Sequence, residues 1–413
     1  MYINYNFLMR IKPLEKFFYE KKIEQNCNYI AKNKPQVLKR LKNKEVLRVI
    51  FYVYDSSKWK CQSIYNLMQA DKRFEPLVVV TRNAAKNPDN PSYQSEEEIL
   101  KTFEYFTKLG MKVELGYDFE NNKHIPFEKI NPDIIIYQHP WYVETSQGPV
   151  VCSKFALTYY VPYDISTTAL PLEYDLRFHQ YVETYFVVND KLKDFYSSKM
   201  KNNGENLKAV GVLSFEYFQN NPPVNDKQYV IYSPHWTIDH EKTIAYSTFK
   251  ENGKFILEYA KQNQQYNWIF KPHPMLKKAI IDNGFMSKEE TEKYYSDWEN
   301  LGILCTDGDY LKYFNDSQLM ITDCCSFLSE YLPTGKPLIR LVSKEIPEFN
   351  PNLKELVKSY YNAESAEDLK KYLDMILTEH QDPMKDLRAE ALKIYPAENA
   401  SQRIIYSIIE ETA

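Results

Sequence analysis

Short, nearly continuous apolar segments alternate along this chain with longer stretches of helical periodicity. The first apolar segment, residues 46–54 (VLRVIFYVY), is followed by others at 76–81 and 133–137. Strands that are buried on both faces of a sheet have this character. Residues 59–70 and 96–109 lie between these segments and have the spacing of amphipathic helices. The alternation predicts an α/β protein, with parallel strands covered by helices on both faces.

The same alternation starts again after residues 219–228 (QNNPPVNDKQ), where two prolines and several Asn and Asp residues predict a linker. The pattern therefore predicts two α/β domains, at 46–220 and 228–395. We expect a final helix at 396–413 to pack back on the N-terminal domain. In such bilobal proteins, ligands bind between the domains, at the carboxyl ends of the strands.

Residues 1–45 precede the first strand and are basic. From Met1 to Arg48 there are twelve Lys or Arg residues and four Asp or Glu residues, and the apolar residues recur at roughly helical spacing. A basic amphipathic helix of this kind can attach a protein to an anionic membrane surface. The alternative is a solvated helix that packs on the body of the protein.

Composition excludes several classes of protein. The net charge of -4 does not favour general nucleic-acid binding, and no apolar run approaches the length of a membrane span. Neither a signal-peptide pattern nor a disulfide framework is evident, so we expect a reducing, cytoplasmic setting. Only 10 glycines accompany 35 tyrosines, and the glycine-rich nucleotide motifs are absent. A nucleotide would have to be bound in another way.

Four polar segments follow predicted strands, and the first is residues 133–141 (DIIIYQHPW). A histidine just past a strand end can reach a ligand, and its pKa suits proton transfer. His139 is therefore a candidate base. The alternative is a histidine that caps a loop carbonyl.

The second segment is residues 229–238 (YVIYSPHWTI), in which Pro234 ends the strand. His235 can bind a phosphate or a base ring, and Trp236 can stack on a base. The alternative is a hydrophobic lid built on Trp236.

The third segment is residues 268–274 (WIFKPHP), in which Lys271 and His273 flank a proline. Two stiffened cationic side chains suit a phosphate oxygen. The alternative is a surface turn with incidental charges.

The fourth segment, residues 319–337, ends its strand near Asp323 and begins a helix near Ser326. The backbone N–H groups at a helix start favour a phosphate. Ser326 and Ser329 add hydroxyls three residues apart, on neighbouring helix positions. Glu330 can bind ribose hydroxyls or take part in proton transfer, and the alternative is an ordinary acid on the helix surface.

Metal and nucleophile chemistry fit the sequence poorly. Cys324 and Cys325 are adjacent and lack the spacing of a structural zinc site. Residues 307–309 (DGD) resemble a metal-binding D-x-D, but we interpret them as a turn that caps the next helix. The sequence contains neither H-E-x-x-H nor G-x-S-x-G.

Several of these segments carry a family resemblance. YSPHWTI, STF, NGKFILEYAK, NWIFKPHP and YFNDSQLMITDCCSFLSEYLPTGKPLI occur in this order over residues 229–341. They resemble the CDP-glycerol glycerophosphotransferases of teichoic-acid and capsule synthesis. IIIYQHPW and ALTYYVPY extend the resemblance more loosely into the N-terminal half.

The resemblance implies a GT-B fold, in which two Rossmann-like domains with parallel sheets face a cleft. It implies transfer of glycerol phosphate, or a related polyol phosphate, from a CDP-activated donor to a hydroxyl of a surface-glycan or lipid-linked acceptor. CMP is released, with neither cofactor nor metal. The implied location is cytoplasmic, or peripheral at the inner face of the bacterial cell membrane. Donor contacts would come from the second to fourth segments: His235, Trp236, Lys271, His273, Asp323, Ser326, Ser329 and Glu330. His273 is also expected to act in catalysis.

One departure concerns the base. Teichoic-acid polymerases carry a His-Gly-Thr-Pro motif in the N-terminal domain, whereas the comparable stretch here, residues 159–164, reads YYVPYD. His139 is the first candidate for the base and Asp164 the second. A single-step transferase is therefore favoured over a polymerase. Two alternatives remain: a GT-B glycosyltransferase that uses a nucleotide sugar, and a non-catalytic nucleotide- or glycan-binding member of a synthesis complex.

Overall fold

The computed structural model describes residues 13–85, 93–223, 228–239, 246–306, 310–344, 346–396 and 398–413, with side chains from residue 18 onward. The chain divides into two compact units. Unit 1 comprises Met1–Asp164, Pro171–Leu213 and Glu398–Ala413, and unit 2 comprises Ile165–Leu170 and Ser214–Ala397. The division at Leu213 lies before the predicted linker, of which residues 224–227 are outside the described residues.

Unit 1 is built on a parallel sheet. Its strands are β1 (Leu47–Val53), β2 (Phe74–Val80), β3 (Val113–Leu115), β6 (Ile134–Tyr137), β7 (Leu157–Tyr160), β8 (Thr184–Val187) and β9 (Leu207–Ala209), while β4 (Tyr117–Asp118) and β5 (Lys123–His124) form a small antiparallel pair. Within the described residues the sheet has seven strands in the order β3-β2-β1-β6-β7-β8-β9. The order reverses direction between β1 and β6, as in doubly wound folds.

Unit 2 repeats this plan. Its strands are β10 (Tyr229–Ser233), β11 (Asn267–Phe270), β12 (Ile303–Leu304), β13 (Ser317–Thr322), β14 (Leu338–Leu341) and β15 (Tyr361–Ala363). In the part of the chain that is described they form a six-stranded parallel sheet in the order β12-β11-β10-β13-β14-β15. The switch point lies between β10 and β13, whose carboxyl ends are the best place for a ligand.

Helices cover both sheets. In unit 1 they are α1 (Pro13–Leu41), α2 (Gln62–Ala70), α3 (Glu96–Lys108), α4 (Pro149–Cys152), α5 (Arg177–Tyr181) and α6 (Asp190–Ser197). In unit 2 they are α7 (Leu213–Asn220), which begins at the boundary, α8 (Phe249–Gln262), α9 (Leu276–Asp282), α10 (Lys288–Leu301), α11 (Leu311–Asp316), α12 (Cys325–Glu330), α13 (Pro351–Leu356), α14 (Ala366–Leu373) and α15 (Lys385–Leu392). The last helix, α16 (Ala400–Thr412), belongs to unit 1.

The central strand β1 shows why the apolar segments form strands. Phe51 and Val53 pack into one core cluster, and the alternating Ile50 and Tyr52 pack into a second cluster on the opposite face. All four side chains are at most 1% exposed. A strand buried on both faces needs apolar residues at every position, so the predicted α/β class with parallel sheets is confirmed.

The N-terminal helix α1 packs on unit 1 through a buried carboxylate. Asp133, which is 0% exposed, lies 2.5 Å from Arg40 Nη1 and 2.7 Å from Lys44 Nζ, and it accepts the backbone N–H of Arg48 at 2.9 Å. Val37 and Leu41 of the same helix are buried in the core. Arg40 and Lys44 of the N-terminal segment therefore compensate a buried charge of unit 1. The contacts favour the alternative of a helix that packs on the body of the protein.

The C-terminal helix α16 lies against the same helix. Lys34 Nζ contacts Glu411 at 2.7 Å and also pairs with Glu183. Tyr159 donates its hydroxyl to the second oxygen of Glu411 at 2.8 Å, and Ile404 and Ile408 are buried in the unit 1 core. A segment nearly 200 residues after the end of the unit 1 sheet thus completes that unit.

Three further observations concern membrane spans, metal sites and disulfide bonds. Among the described residues, no helix is long and apolar enough to cross a membrane. Nor do these residues contain a group of three or more His, Cys, Asp or Glu side chains that could hold a metal ion. No disulfide joins the six cysteines, all of which lie in the described part. The D-x-D at 307–309 lies outside the described residues.

Replacing Arg40 and Lys44 by Gln tests the attachment of α1. Each single variant should lower the free energy of unfolding by about 1 kcal/mol or less, because the other cation still compensates Asp133. The double variant leaves a buried carboxylate without a cation and should cost about 3–5 kcal/mol. Urea denaturation of the four proteins measures the coupling. The exposed pair Lys39→Gln and Lys42→Gln is the control, and additive losses at Arg40 and Lys44 would contradict this role of Asp133.

Candidate functional site

Three strand ends meet at the switch point of unit 2 and are tied to one another. Thr322, the last residue of β13, donates its hydroxyl to the carbonyl of Ser233 at 2.7 Å. Ser233 in turn donates its hydroxyl to the carbonyl of Lys271 at 2.6 Å, and the N–H of His273 donates to the carbonyl of Pro234 at 3.0 Å. The structure thus brings the second, third and fourth predicted segments together.

Asp323 holds the loop that follows β10. Its Oδ1 accepts the N–H of His235 at 2.6 Å, and its Oδ2 accepts the N–H and the hydroxyl of Thr248, at 2.6 and 2.9 Å. Burial raises the pKa of this carboxyl to about 6, and the hydrogen bonds from Thr248 and His235 oppose the rise. Both oxygens are engaged by the protein, so Asp323 positions the loop, and its direct contact with the donor stays a prediction.

Three aromatic rings gather beside this loop. The ring centroids of His235 and His273 are 5.1 Å apart, and Trp236 lies 6.0 Å from each of them. His273 Nδ1 accepts the N–H of Met275 at 3.1 Å, which assigns the ring proton to Nε2. His273 therefore presents an N–H donor, which suits an anionic oxygen.

His235 is fixed by its own loop. Its Nδ1 lies 2.9 Å from the hydroxyl of Thr237, and desolvation lowers the pKa of the imidazole. A neutral ring can stack on a base or donate a hydrogen bond without carrying charge. The contact of His235 with a phosphate or a base ring stays a prediction.

Lys271 supplies a buried positive charge. It is 6% exposed, and its Nζ lies 4.7 Å from the ring centroid of Tyr310 and 5.6 Å from that of Phe327. Aromatic faces stabilise a desolvated cation. The burial excludes the alternative of a surface turn with incidental charges at this position.

The helix α12 carries the remaining predicted contacts. Glu330 is 3% exposed and accepts the hydroxyl of Tyr310 at 2.6 Å, so it is not an ordinary surface acid. Ser326 is half-buried, with its hydroxyl 3.5 Å from the sulfur of Cys324. Ser329 is fully buried. Ser326 is therefore the more accessible of the two serines, and both donor contacts stay predictions.

The two candidate bases belong to unit 1. His139 follows β6, is 1% exposed and stacks on Tyr54, with 3.7 Å between the ring centroids. Burial, with a smaller contribution from Lys58, lowers the pKa of His139 well below its usual range. Asp164 is half-buried and is therefore the more accessible candidate. Both assignments stay predictions.

Sequence reasoning missed two residues of this site, Thr248 and Tyr310. Thr248 lies within the STF segment, but nothing in its local pattern indicates a bond to a carboxylate 75 residues away. Tyr310 follows the D-x-D and is one of 35 tyrosines, so its type carries no signal.

Comparisons with known proteins bear on the fold. No protein-family model matches the chain, and no curated protein matches it. Wall teichoic acid polymerase TagF is similar over 97% of this chain and 96% of its own, with a TM-score of 0.61 and 14% identity. UDP-GlcNAc 2-epimerase from Neisseria meningitidis, bound to UDP-GlcNAc, is similar over 88% of this chain and 99% of its own, with a TM-score of 0.53 and 14% identity. The structure of MnaA of S. aureus with UDP is similar over 88% of this chain and 96% of its own, with a TM-score of 0.58 and 11% identity.

These likenesses define the fold class. At this level of identity they show the fold alone, and the fold is GT-B, with two Rossmann-like domains. The predicted fold class is confirmed. Its two parallel sheets correspond to units 1 and 2.

Replacing Asp323 by Asn tests its positioning role. The amide cannot accept all three hydrogen bonds, since its NH2 group would face a backbone N–H. The free energy of unfolding should therefore fall by about 1–3 kcal/mol. Asp282→Asn removes an exposed ion pair with Lys278 and should have an effect of at most about 1 kcal/mol. Equal losses in the two variants, measured by urea denaturation, would refute the role of Asp323.

Proposed function

We propose that this chain is an enzyme that transfers glycerol phosphate, or a related polyol phosphate, from a CDP-activated donor. The acceptor is a hydroxyl of a cell-surface glycan or of a lipid-linked intermediate, and CMP is released. The observation that carries the proposal is the arrangement of buried Lys271 and the Nε2–H of His273, two groups that follow β11 beside the switch point of unit 2. The order of the segments over residues 229–341 and the GT-B fold support it.

The proposed reaction is a phosphoryl transfer. The acceptor oxygen attacks the β-phosphorus of the donor, and a new P–O bond forms. The bond from the β-phosphorus to the bridging oxygen breaks, and its electron pair leaves with CMP. The acceptor proton passes to a base, for which His139 and Asp164 are the candidates that the sequence predicts. Catalysis of this kind depends mainly on positioning and on neutralising charge.

The residues of unit 2 suit the leaving group. Lys271 supplies a cation that is already desolvated, so it needs little reorganisation when CMP departs. His273 offers a directed N–H, and Ser326 offers a hydroxyl. Trp236 and neutral His235 provide flat faces for a cytosine ring. Asp323 keeps His235 in place.

The alternative of a nucleotide-sugar glycosyltransferase has its own support. Two of the similar structures contain UDP or UDP-GlcNAc, and a variant of TagF was soaked with CDPG. The same phosphate contacts would serve a nucleotide sugar, in which the anomeric carbon is the electrophile. The non-catalytic alternative predicts binding of the nucleotide without its turnover.

A screen of donors with lipid extract as acceptor separates these functions. We expect release of CMP from CDP-glycerol or CDP-ribitol, and none from UDP-sugars or CMP-sugars. His273→Asn retains an acceptor for the N–H of Met275 but loses the Nε2–H. Its turnover should fall by roughly 10²–10³-fold, the scale of removing one preorganised donor.

His380→Asn is the matched control, because His380 is an exposed histidine of unit 2. Near wild-type CMP release by His273→Asn would remove that residue from the mechanism. Release of UDP alone would replace the proposed function by the glycosyltransferase alternative.

Membrane attachment is a separate part of the proposal. Lys21, Lys22, Lys32 and Lys39 are exposed on α1, while Arg40 is engaged at Asp133. Exposed basic residues near an anionic surface contribute about 1 kcal/mol each. We therefore propose that this face of α1 holds the enzyme near a lipid-linked acceptor.

Replacing these four lysines by Gln should weaken binding to vesicles of equal parts phosphatidylglycerol and phosphatidylcholine by at least about 100-fold. Co-sedimentation measures the binding. The control replaces four exposed lysines of unit 2: Lys288, Lys358, Lys370 and Lys393. If both sets of changes weaken binding equally, α1 has no special part in it.

A further inference from the structure

A row of polar side chains crosses four strands of unit 2 at the same level. Ser233 pairs with Thr322, and Thr322 pairs with Arg340 of β14. Lys271 follows β11 and donates its N–H to the carbonyl of Tyr232, which places it beside Ser233. Because side chains alternate between the faces of a sheet, these four lie on one face. Lys271 and Arg340 are the two ends of the row, and Arg340 lies outside the four polar segments described above.

The Arg340 guanidinium is held in place by neutral groups. Its Nη1 donates to Asn362 Oδ1 at 2.8 Å. Asn362 is itself oriented, because its Nδ2 donates to the carbonyls of Val357 and Tyr360, each at 3.0 Å. The ring of Phe349 lies 5.0 Å from the guanidinium carbon. The cation is therefore fixed before any ligand arrives.

Within the described residues, this buried cation lacks a carboxylate partner. Arg340 is 9% exposed, and no carboxylate among the described residues lies within 4.0 Å of it. Glu364 acts on it only at longer range and is itself exposed. Arg388, the other buried arginine of unit 2, shows the usual arrangement, since it pairs with Asp382. A buried charge without a counter-ion is costly, so a bound anion would stabilise this part of the sheet.

We propose that Arg340 binds a phosphate oxygen of the donor, at the end of the row opposite Lys271. The inference rests on the proposed function, because the donor's diphosphate is the anion expected at this edge of the sheet. Adjacent strands are about 4.8 Å apart, so long side chains from the ends of the row can approach one diphosphate from two sides. A guanidinium suits phosphate because its fork of donors matches two oxygens.

Ligand binding to Arg340→Gln gives the first test. Titration calorimetry with CDP and with inorganic pyrophosphate should show binding by the wild type that is roughly 10- to 100-fold weaker in the variant, the scale of a lost charge-assisted contact. Equal affinities for both probes in the two proteins would overturn the assignment. So would a wild type that binds neither probe.

Thermal unfolding without ligand gives a second readout, which distinguishes a phosphate-binding Arg340 from a merely structural one. Arg340→Gln removes an uncompensated charge, so its melting temperature should equal or exceed that of the wild type. Arg388→Gln is the matched control, and it should melt several degrees lower because Asp382 loses the cation with which it pairs. A comparable fall in Arg340→Gln would mean that the residue is structural.

The two readouts also separate this inference from the proposed function. The wild type could bind pyrophosphate and UDP but not CDP-glycerol, while Arg340→Gln weakens the binding of pyrophosphate and UDP. In that case the CDP-activated donor is wrong, and the assignment of Arg340 as a phosphate ligand is retained. If the wild type turns over CDP-glycerol and Arg340→Gln does so with the same KM and kcat, the function stands and the Arg340 assignment fails.

Discussion

The candidate site depends on the hydrogen bonds that the carboxylate of Asp323 accepts. Asp323 comes directly after β13 and binds the backbone of the loop that follows β10, on the other side of the switch point. Its second oxygen holds Thr248, at the start of α8. One buried group therefore joins two loops of unit 2, and His235 and Trp236 gain a defined position from it. A loop without this anchor would have to be ordered by the ligand, at a cost in affinity.

Scarce glycine sets the mode of phosphate recognition that we propose. Glycine-rich loops let backbone N–H groups surround a phosphate. Here the corresponding turns contain Pro234 and Pro272, whose rings restrict the backbone instead. Recognition then depends on side chains that other protein groups hold in place. Aromatic rings contact Lys271, the N–H of Met275 donates to His273, and Arg340 donates to Asn362. Such a site is rigid before binding, which favours electrostatic stabilisation.

The sequence predicted the α/β class and most strands because buried parallel strands leave a strong local signal, as in residues 46–54. It missed β15, which has only three residues at the sheet edge. It also grouped Ser329 with Ser326, because residues three apart are neighbours on a helix. Which side of α12 faces the interior depends on packing, and that packing buries Ser329. The bonds from Asp323 to His235 and Thr248 span 88 and 75 residues, and no local pattern encodes them.

The amphipathic pattern of α1 shows the same limit. An apolar stripe predicts that a helix is covered, but the stripe does not say by what. Val37 and Leu41 show that the unit 1 core covers one face of the helix. The exposed lysines are the residues through which we propose that it binds a membrane.

The central claim is that the carboxyl end of the unit 2 sheet binds the phosphates of a CDP-activated donor. A crystal structure of the protein with CDP-glycerol tests it most directly. The account predicts phosphate oxygens within hydrogen-bond distance of His273 Nε2 and Lys271 Nζ, with the cytosine beside Trp236. A nucleotide bound by unit 1, or phosphates remote from both side chains, would contradict it.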